Sequence, residues 1–431
     1  MMALHVAFFY LLLILLPTQL GLHFWPSWAM VLGRRVDFLS PTIYLTDILV
    51  VLLLIFWFKN IPFKFNRASW RIKFLIKQKK FQLTILLLGF IFLNIFFAGN
   101  RLVAIYGWVK ILEYVLLGVY ILKTRPKIST VAFFLSVGVA YSSILAIVQF
   151  FLQRSVGGPL WFLGERTFSN LSPGIAQFNV CNPFTYGCAL VLRAYGTFPH
   201  PNVLGGFLAV SLPLLLYQWR NDAAFSHNKK IYYVSAMCVG AVALVLTFSR
   251  SAWVAALLGL GMVFYASSQK RARAVPIVIV TIIMLVLVGR SVGLQDESVV
   301  VREALNSSAV KMFRQSPIIG KGVNDFLVEL PHSLPSRQIY FLQPVHNIYL
   351  LVLAETGIVG FVIVTWIVWK AVGSELRCMV YEPWKKQNRE KFIIHNSLII
   401  ILLLGLVDHY PLTLQQGQLM VTILLSLALI R

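Results

Sequence analysis

The chain has 431 residues, 58% hydrophobic and only 12% charged, with a mean hydropathy of +0.78. A water-soluble globular domain is excluded, because apolar runs of roughly 17 to 25 residues recur along the whole length and match what a helix needs to cross a bilayer. The formal charge of +23 does not indicate nucleic acid, since the basic residues lie in short blocks between apolar runs and form no basic domain.

Backbone groups in lipid must be satisfied within their own segment, so the runs are read as helices. In chain order, twelve spans are predicted at about 3–20, 42–58, 82–98, 102–122, 130–151, 203–217, 231–248, 251–267, 275–293, 347–370, 393–408 and 412–430. The first run, from Ala3 to Leu16, lacks a basic start and a small-residue cleavage site and reads as a retained helix. Connections at 59–80, 123–127, 218–230, 268–274 and 370–392, with Arg431, carry 24 of the 38 Lys and Arg residues. The positive-inside rule puts them in the cytoplasm. The short connections at 21–41, 99–101, 249–250 and 409–411 carry only Arg34, Arg35, Arg101 and Arg250, and face outward. Both termini then lie inside, in an all-α polytopic membrane protein of one domain (1–431) with two long outer segments, 152–202 and 294–346.

In the second outer segment an amphipathic helix is predicted after Ser298, with Val301, Leu305, Ala309 and Met312 on one face and Arg302, Lys311 and Arg314 elsewhere. It is expected along the membrane surface, stopping at Ser316-Pro317 before the turn Gly320-Lys321-Gly322-Val323-Asn324. In the first outer segment Cys181 and Cys188 are spaced for a small disulfide loop in an oxidising compartment, or are two free thiols. Lys110 and Glu113 would neutralise each other on one helix face.

Polar residues at the outer ends of helices stand out, because charge there costs free energy unless something rewards it. Arg193, His200 and Asn202 lie in RAYGTFPHPNVLGG, Arg250 in LTFSRSAW, and His346 with Asn347 in PVHNIYLLVLAETG, all on the same predicted face. Arg250, pinned in a hairpin of almost no length, suits bidentate phosphate contact, or else snorkels to headgroups. Arg193 is its partner for a diphosphate, or a loop arginine paired to Glu165 or to carbonyls. His346 titrates near neutral pH and can take or orient a hydroxyl proton, or simply caps the following helix. Glu355 lies on a similar face, deeper. No His or Cys cluster has zinc spacing and the outer acids form no DxD-type pair, so chemistry without metal or other cofactor is the default.

TFSRSAWVAALLG at 247–259, SPIIGKGVNDF at 316–326 and VHNIYLLVLAETGIVG at 345–360, in that order, resemble the O-antigen ligase and polymerase superfamily. The resemblance is most specific over about 190–370, and Lys321 and Asn324-Asp325 fill a turn that is commonly richer in glycine. It implies a membrane glycosyltransferase of the GT-C type in a bacterial inner membrane, with its active site on the periplasmic face. The implied donor is a glycan on undecaprenyl diphosphate, and the acceptor a hydroxyl of a glycolipid or glycan. It also implies that Arg193 and Arg250 hold the diphosphate, with His200, Asn202 and Asn347 beside the substrate, and that His346 activates or positions the acceptor. A polymerase of the same superfamily, a polyprenyl-glycan transporter or flippase, and a membrane scaffold are the alternatives.

Overall fold

The computed structural model of the chain describes residues 3–60, 79–181, 188–221, 226–267, 297–334, 342–373 and 386–430. It is mostly helical. The principal helices are α1 (Leu4–Ile14), α2 (Leu45–Lys59), α3 (Lys79–Phe96), α4 (Arg101–Thr124), α5 (Ile128–Leu152), α6 (Pro201–Asn221), α7 (His227–Leu246) and α8 (Arg250–Ser267). After them come α9 (Glu297–Gln315), α10 (Phe326–Ser333), α11 (Ile348–Gly373), α12 (Lys386–Leu404), the single turn α13 (Tyr410–Thr413) and α14 (Gln415–Ala428). Helices occupy eleven of the twelve predicted span positions, and 275–293 lies outside the described residues. Among the described residues, α4, α5, α6, α7 and α11 are long and apolar enough to cross a membrane.

The centre of the bundle is α6, buried from Val203 to Leu215 on every side. A helix apolar all round has no solvent face and belongs inside other helices. Small residues bring its neighbours close: Gly205 meets Ala252 of α8, and Gly240 of α7 meets Leu212. A Cβ on Gly206 would stand 1.7 Å from the Tyr410 hydroxyl. That close approach puts the turn 405–409 against the start of α6.

A second core joins α9, α10 and the start of α11 to the loop 21–41. Leu305, Ala309 and Met312 are buried there and Val301 is partly buried, so the predicted apolar face of α9 is covered by protein. The helix ends at Gln315, before Ser316-Pro317, as the sequence predicts. The segment Pro317–Gly322, which precedes Asn324 (φ 64°), seats against a break in α11 at Gly357 (φ 61°). Lys321 N–H donates to Ala354 O and Gly322 N–H to Glu355 O, while Asn94 Nδ2 donates to Ile319 O and Glu355 O. A Cβ at Gly320 would lie 2.3 Å from the Glu355 carbonyl carbon, so that contact requires glycine. Glu355 therefore packs against this turn, where its Oε1 accepts from Phe326 N–H (3.4 Å).

Between α5 and α6, Gln177–Cys181 and Cys188–Leu192 form an antiparallel hairpin (β5 and β6, after four short strands within 21–44). Cys188 is disulfide-bonded, and Cys181 is its Cα partner across the ladder.

Candidate functional site

Three chain segments meet at one end of α6. The hairpin strand β6 delivers Arg193, whose backbone N–H donates to Ala176 O and whose Nε donates to Thr247 O (2.6 Å). Thr247 closes the C-terminus of α7, and Phe248 (φ 48°) turns the chain so that α8 begins at Arg250. The guanidinium of Arg193 therefore caps the end of α7, where carbonyls carry negative partial charge. Glu165, the alternative partner, is engaged elsewhere: it accepts from Gln149 Nε2 and the Val156 and Gly157 amides.

From Arg193 the polar contacts run on without a break. Arg193 Nη2 donates to Asn202 Oδ1 (2.6 Å), and Asn202 Nδ2 donates to Asp408 Oδ2 (3.1 Å). Asp408 Oδ1 accepts from His409 N–H (2.9 Å). The His409 ring lies 5.0 Å from that of His346, nearly edge to face, and His409 Nδ1 is bonded to Thr413 Oγ1 (2.6 Å). His200 Nδ1 accepts from Asn202 N–H (3.1 Å). His346 Nδ1 is buried and has no hydrogen-bond partner among the described residues. Asn347 caps α11, with Oδ1 accepting from the Tyr349 and Leu350 amides and Nδ2 donating to Leu406 O. Both ends of that amide are committed to backbone, a positioning role beside the expected substrate contact.

Charge orders the site. Burial is the main cause that lowers the Arg193 pKa to about 10, and the charge of Arg250 adds to it, so Arg193 stays charged at neutral pH within reach of a second guanidinium. Burial, reinforced by Arg193, pushes His200 down to about 3. Burial likewise takes His409 to about 4, against the pull of Asp408 and with help from Arg302. His346 is lowered by burial and by Arg302, with Asp408 opposing. His200 and His409 are thus neutral near pH 7, and the charge of Arg302 acts on both His346 and His409.

Sequence reasoning missed Asp408, His409 and Arg302 as members of this site. His409-Tyr410-Pro411 opens a helix as His200-Pro201-Asn202 does, and that likeness was the available signal. One donor atom each of His346, Asp408 and His409 lies within 4.8 Å of the others, a set that can hold a metal ion. Its 62-residue separation in sequence hides it from any spacing rule. Arg193 and Arg302 flank the trio, and a site with one carboxylate among several guanidinium groups favours an anion over a cation.

Residues 235–365 match the family model described as O-antigen ligase. This stretch runs from within α7 into α11 and holds Arg250, Arg302 and His346, while Arg193, Asn202, Asp408 and His409 of the same site lie outside it. The matched stretch thus meets residues from the preceding and following parts of the chain. No curated protein matches the chain.

Proposed function

We propose that this membrane protein transfers a glycan from an undecaprenyl-diphosphate carrier to an acceptor hydroxyl, as an O-antigen ligase. One observation carries the reading: Arg193, within electrostatic reach of Arg250, is hydrogen-bonded through Asn202 to Asp408, which has a carboxylate oxygen within 4.8 Å of a ring nitrogen of His346. In transfer, the acceptor oxygen bonds to the anomeric carbon while the bond from that carbon to the phosphate oxygen breaks. The electron pair leaves on the diphosphate, where fixed guanidinium groups oppose the growing negative charge. The hydroxyl proton passes to His346, whose Nδ1 has no hydrogen-bond partner, and the Asp408 carboxylate stabilises the imidazolium. Attack opposite the leaving group inverts the anomeric centre. No step in this scheme requires a metal ion.

The same reading gives twelve spans of the GT-C type in a bacterial inner membrane, both termini in the cytoplasm and the site on the periplasmic side. Ser307→Cys is then labelled from outside and Lys79→Cys only after permeabilisation; the reverse pattern overturns the orientation. Purified protein with a lipid-linked oligosaccharide tests the chemistry. Arg193→Gln and Arg250→Gln are each expected to slow transfer about 10²–10³-fold, and His346→Ala about 10²–10⁴-fold. Wild-type rates in all three would refute the assignment. A lipid-anchored core sugar and a second lipid-linked repeat, offered as rival acceptors, separate ligase from polymerase. Movement of the carrier across the bilayer with no transfer product would indicate a flippase.

A further inference from the structure

The stretch between α5 and β5 carries large apolar side chains that the protein leaves uncovered among its described residues. Gly158–Leu163 (GPLWFL) is a short 3₁₀ segment with no charged or hydroxyl side chain and no buried residue. Trp161 and Phe162 are 54% and 67% exposed and touch each other edge to face at 5.2 Å. Further on, Leu171 is 87% exposed. A slack loop of this composition would fold back onto the protein to leave water. This one is tied down at its base. The buried Glu165 carboxylate accepts from Gln149 Nε2 (2.8 Å) and from the Val156 and Gly157 amides. Gly164 (φ 90°) lies so close to the end of α1 that a Cβ there would stand 2.6 Å from Gln19 N. Asn170 N–H donates to the carbonyl of Gln153, the residue that ends α5 (3.1 Å).

Those ties also fix how high the segment stands. Helix α5 is long and apolar enough to cross a membrane, and Ile144, Val148 and Phe151 on one side of it are exposed. Gln149 lies in its last turn and Gln153 follows it, so Glu165 and Asn170 bring the chain back to the level at which α5 leaves the bilayer. At about 2 Å per residue of 3₁₀ helix, Trp161 and Phe162 stay within about 8 Å of that level. Interfacial elements bury their apolar side about 5–10 Å into the boundary between headgroups and acyl chains. Indole, with an apolar body and one N–H, suits that layer. Arg154 and Arg166 are exposed on either side of the turn while Glu165 is buried, so the exposed charge beside these side chains is positive, as a phosphate-rich surface favours.

We infer that Trp161, Phe162 and Leu171 form an interfacial membrane anchor, seated in the leaflet at which α5 ends. Lipid is the occupant because this uncovered surface continues the lipid-facing side of α5 at the same level. The anchored segment runs directly into the β5 and β6 hairpin, where Ala176 O accepts from Arg193 N–H, so the anchor also holds that hairpin at the bilayer surface.

Phe162→Cys, Leu171→Cys and Phe151→Cys, each made in Cys238→Ser, Cys378→Ser protein, are labelled with a nitroxide without reductant and placed in phosphatidylcholine nanodiscs. Power saturation then compares collisions with oxygen, which concentrates in lipid, and with nickel EDDA, which stays in water. Phe151→Cys supplies the value for a lipid-facing side chain. Labels on Phe162→Cys and Leu171→Cys are expected to favour oxygen as well. A label that favours nickel EDDA puts these positions in water, and one shielded from both reagents puts them against protein, such as a second copy of the chain; either result overturns the anchor. Adding Trp161→Ser and Phe162→Ser to Leu171→Cys should shift its label toward nickel EDDA, since two of the three apolar contacts are then gone. An unchanged value in that variant would show that the three side chains do not act as one anchor.

Discussion

Two clusters of buried charge in this protein are built on opposite plans. Inside the bundle, Lys110 of α4 pairs with Asp47 of α2 and with Glu113, each at 2.7 Å. Gln415 of α14 adds contacts to Asp47 and Thr46, and Tyr114 donates to Gln415 and Gln418. Nearly every donor and acceptor there is answered, leaving Glu113 Oε1 unpaired. At the Asp408 cluster, by contrast, His346 Nδ1 and the Arg302 guanidinium have no protein partner among the described residues, and positive charge exceeds the single Asp408 carboxylate. A closed network fixes how helices pack, whereas an open one of one sign is matched to something that arrives.

The largest effect that tests this contrast is structural. Lys110→Met strands two buried carboxylates and is expected to cost about 3–5 kcal/mol of stability, read as thermal unfolding in detergent. Turnover per folded molecule should not change. The triple variant Asp47→Asn, Lys110→Met, Glu113→Gln, which removes all three charges, should recover much of the loss. A stable Lys110→Met protein that has lost transfer would place this cluster in the reaction instead. Next in size is Asp408→Asn. The Asn202 contact can survive in altered form, but the imidazolium formed at His346 loses its counter-charge, so turnover should fall about a hundredfold with donor KM little changed. A rise in donor KM with normal turnover would instead make Asp408 a donor-positioning group.

How far the sequence foretold this division differs between the clusters. The Lys110 and Glu113 pair was legible because three-residue spacing on a helix fixes which side chains meet. Asp47 was not, since no local pattern says which face of α2 turns toward α4. Arg193, Arg250 and His346 were singled out in the sequence as polar residues at helix ends on one predicted face of a charge-patterned chain. Their linkage through Asn202 to Asp408 depends on the packing of α6 against Tyr410 and stays invisible until the helices are placed. Glu355 illustrates the converse: sequence put it on a face like that of His346, but the break at Gly357 and the Gly320 turn give it other company.

A pH series sharpens the comparison with a smaller effect. Burial raises the Asp325 carboxyl to about 7, against the Asn100 and Gly99 amides that favour its charged form and with Glu329 adding repulsion. Its folded value lies above the unfolded one, so the folded state holds the extra proton between about pH 4 and 7 and this group's contribution falls as pH rises through that window. His200 and His409 work the other way: their folded values of about 3 and 4 lie below the ordinary 6.5, so their contribution rises with pH up to about 6.5. Asp325→Asn should therefore gain stability relative to wild type as pH goes from 4 to 7 and hold that gain above it. A difference that is flat with pH would show that the Asp325 carboxyl titrates alike in the folded and unfolded states.

The smallest expected effect decides the sign of the ligand. His346, Asp408 and His409 have a spacing a divalent cation can use, and such a cation would need a deprotonated carboxylate and free imidazole nitrogens. Asp408 already accepts from Asn202 and His409 N–H, His409 Nδ1 is taken by Thr413, and guanidinium groups flank the trio. A cation there would face repulsion from both sides, whereas a diphosphate would meet attraction from Arg193 and Arg250. Transfer measured after dialysis against EDTA should therefore stay within about twofold of the untreated rate, because electrostatic stabilisation comes from fixed side chains. If activity disappears and returns on adding back one divalent metal, and Asp408→Asn abolishes that return, the cluster is a cation site and the arginines serve another purpose.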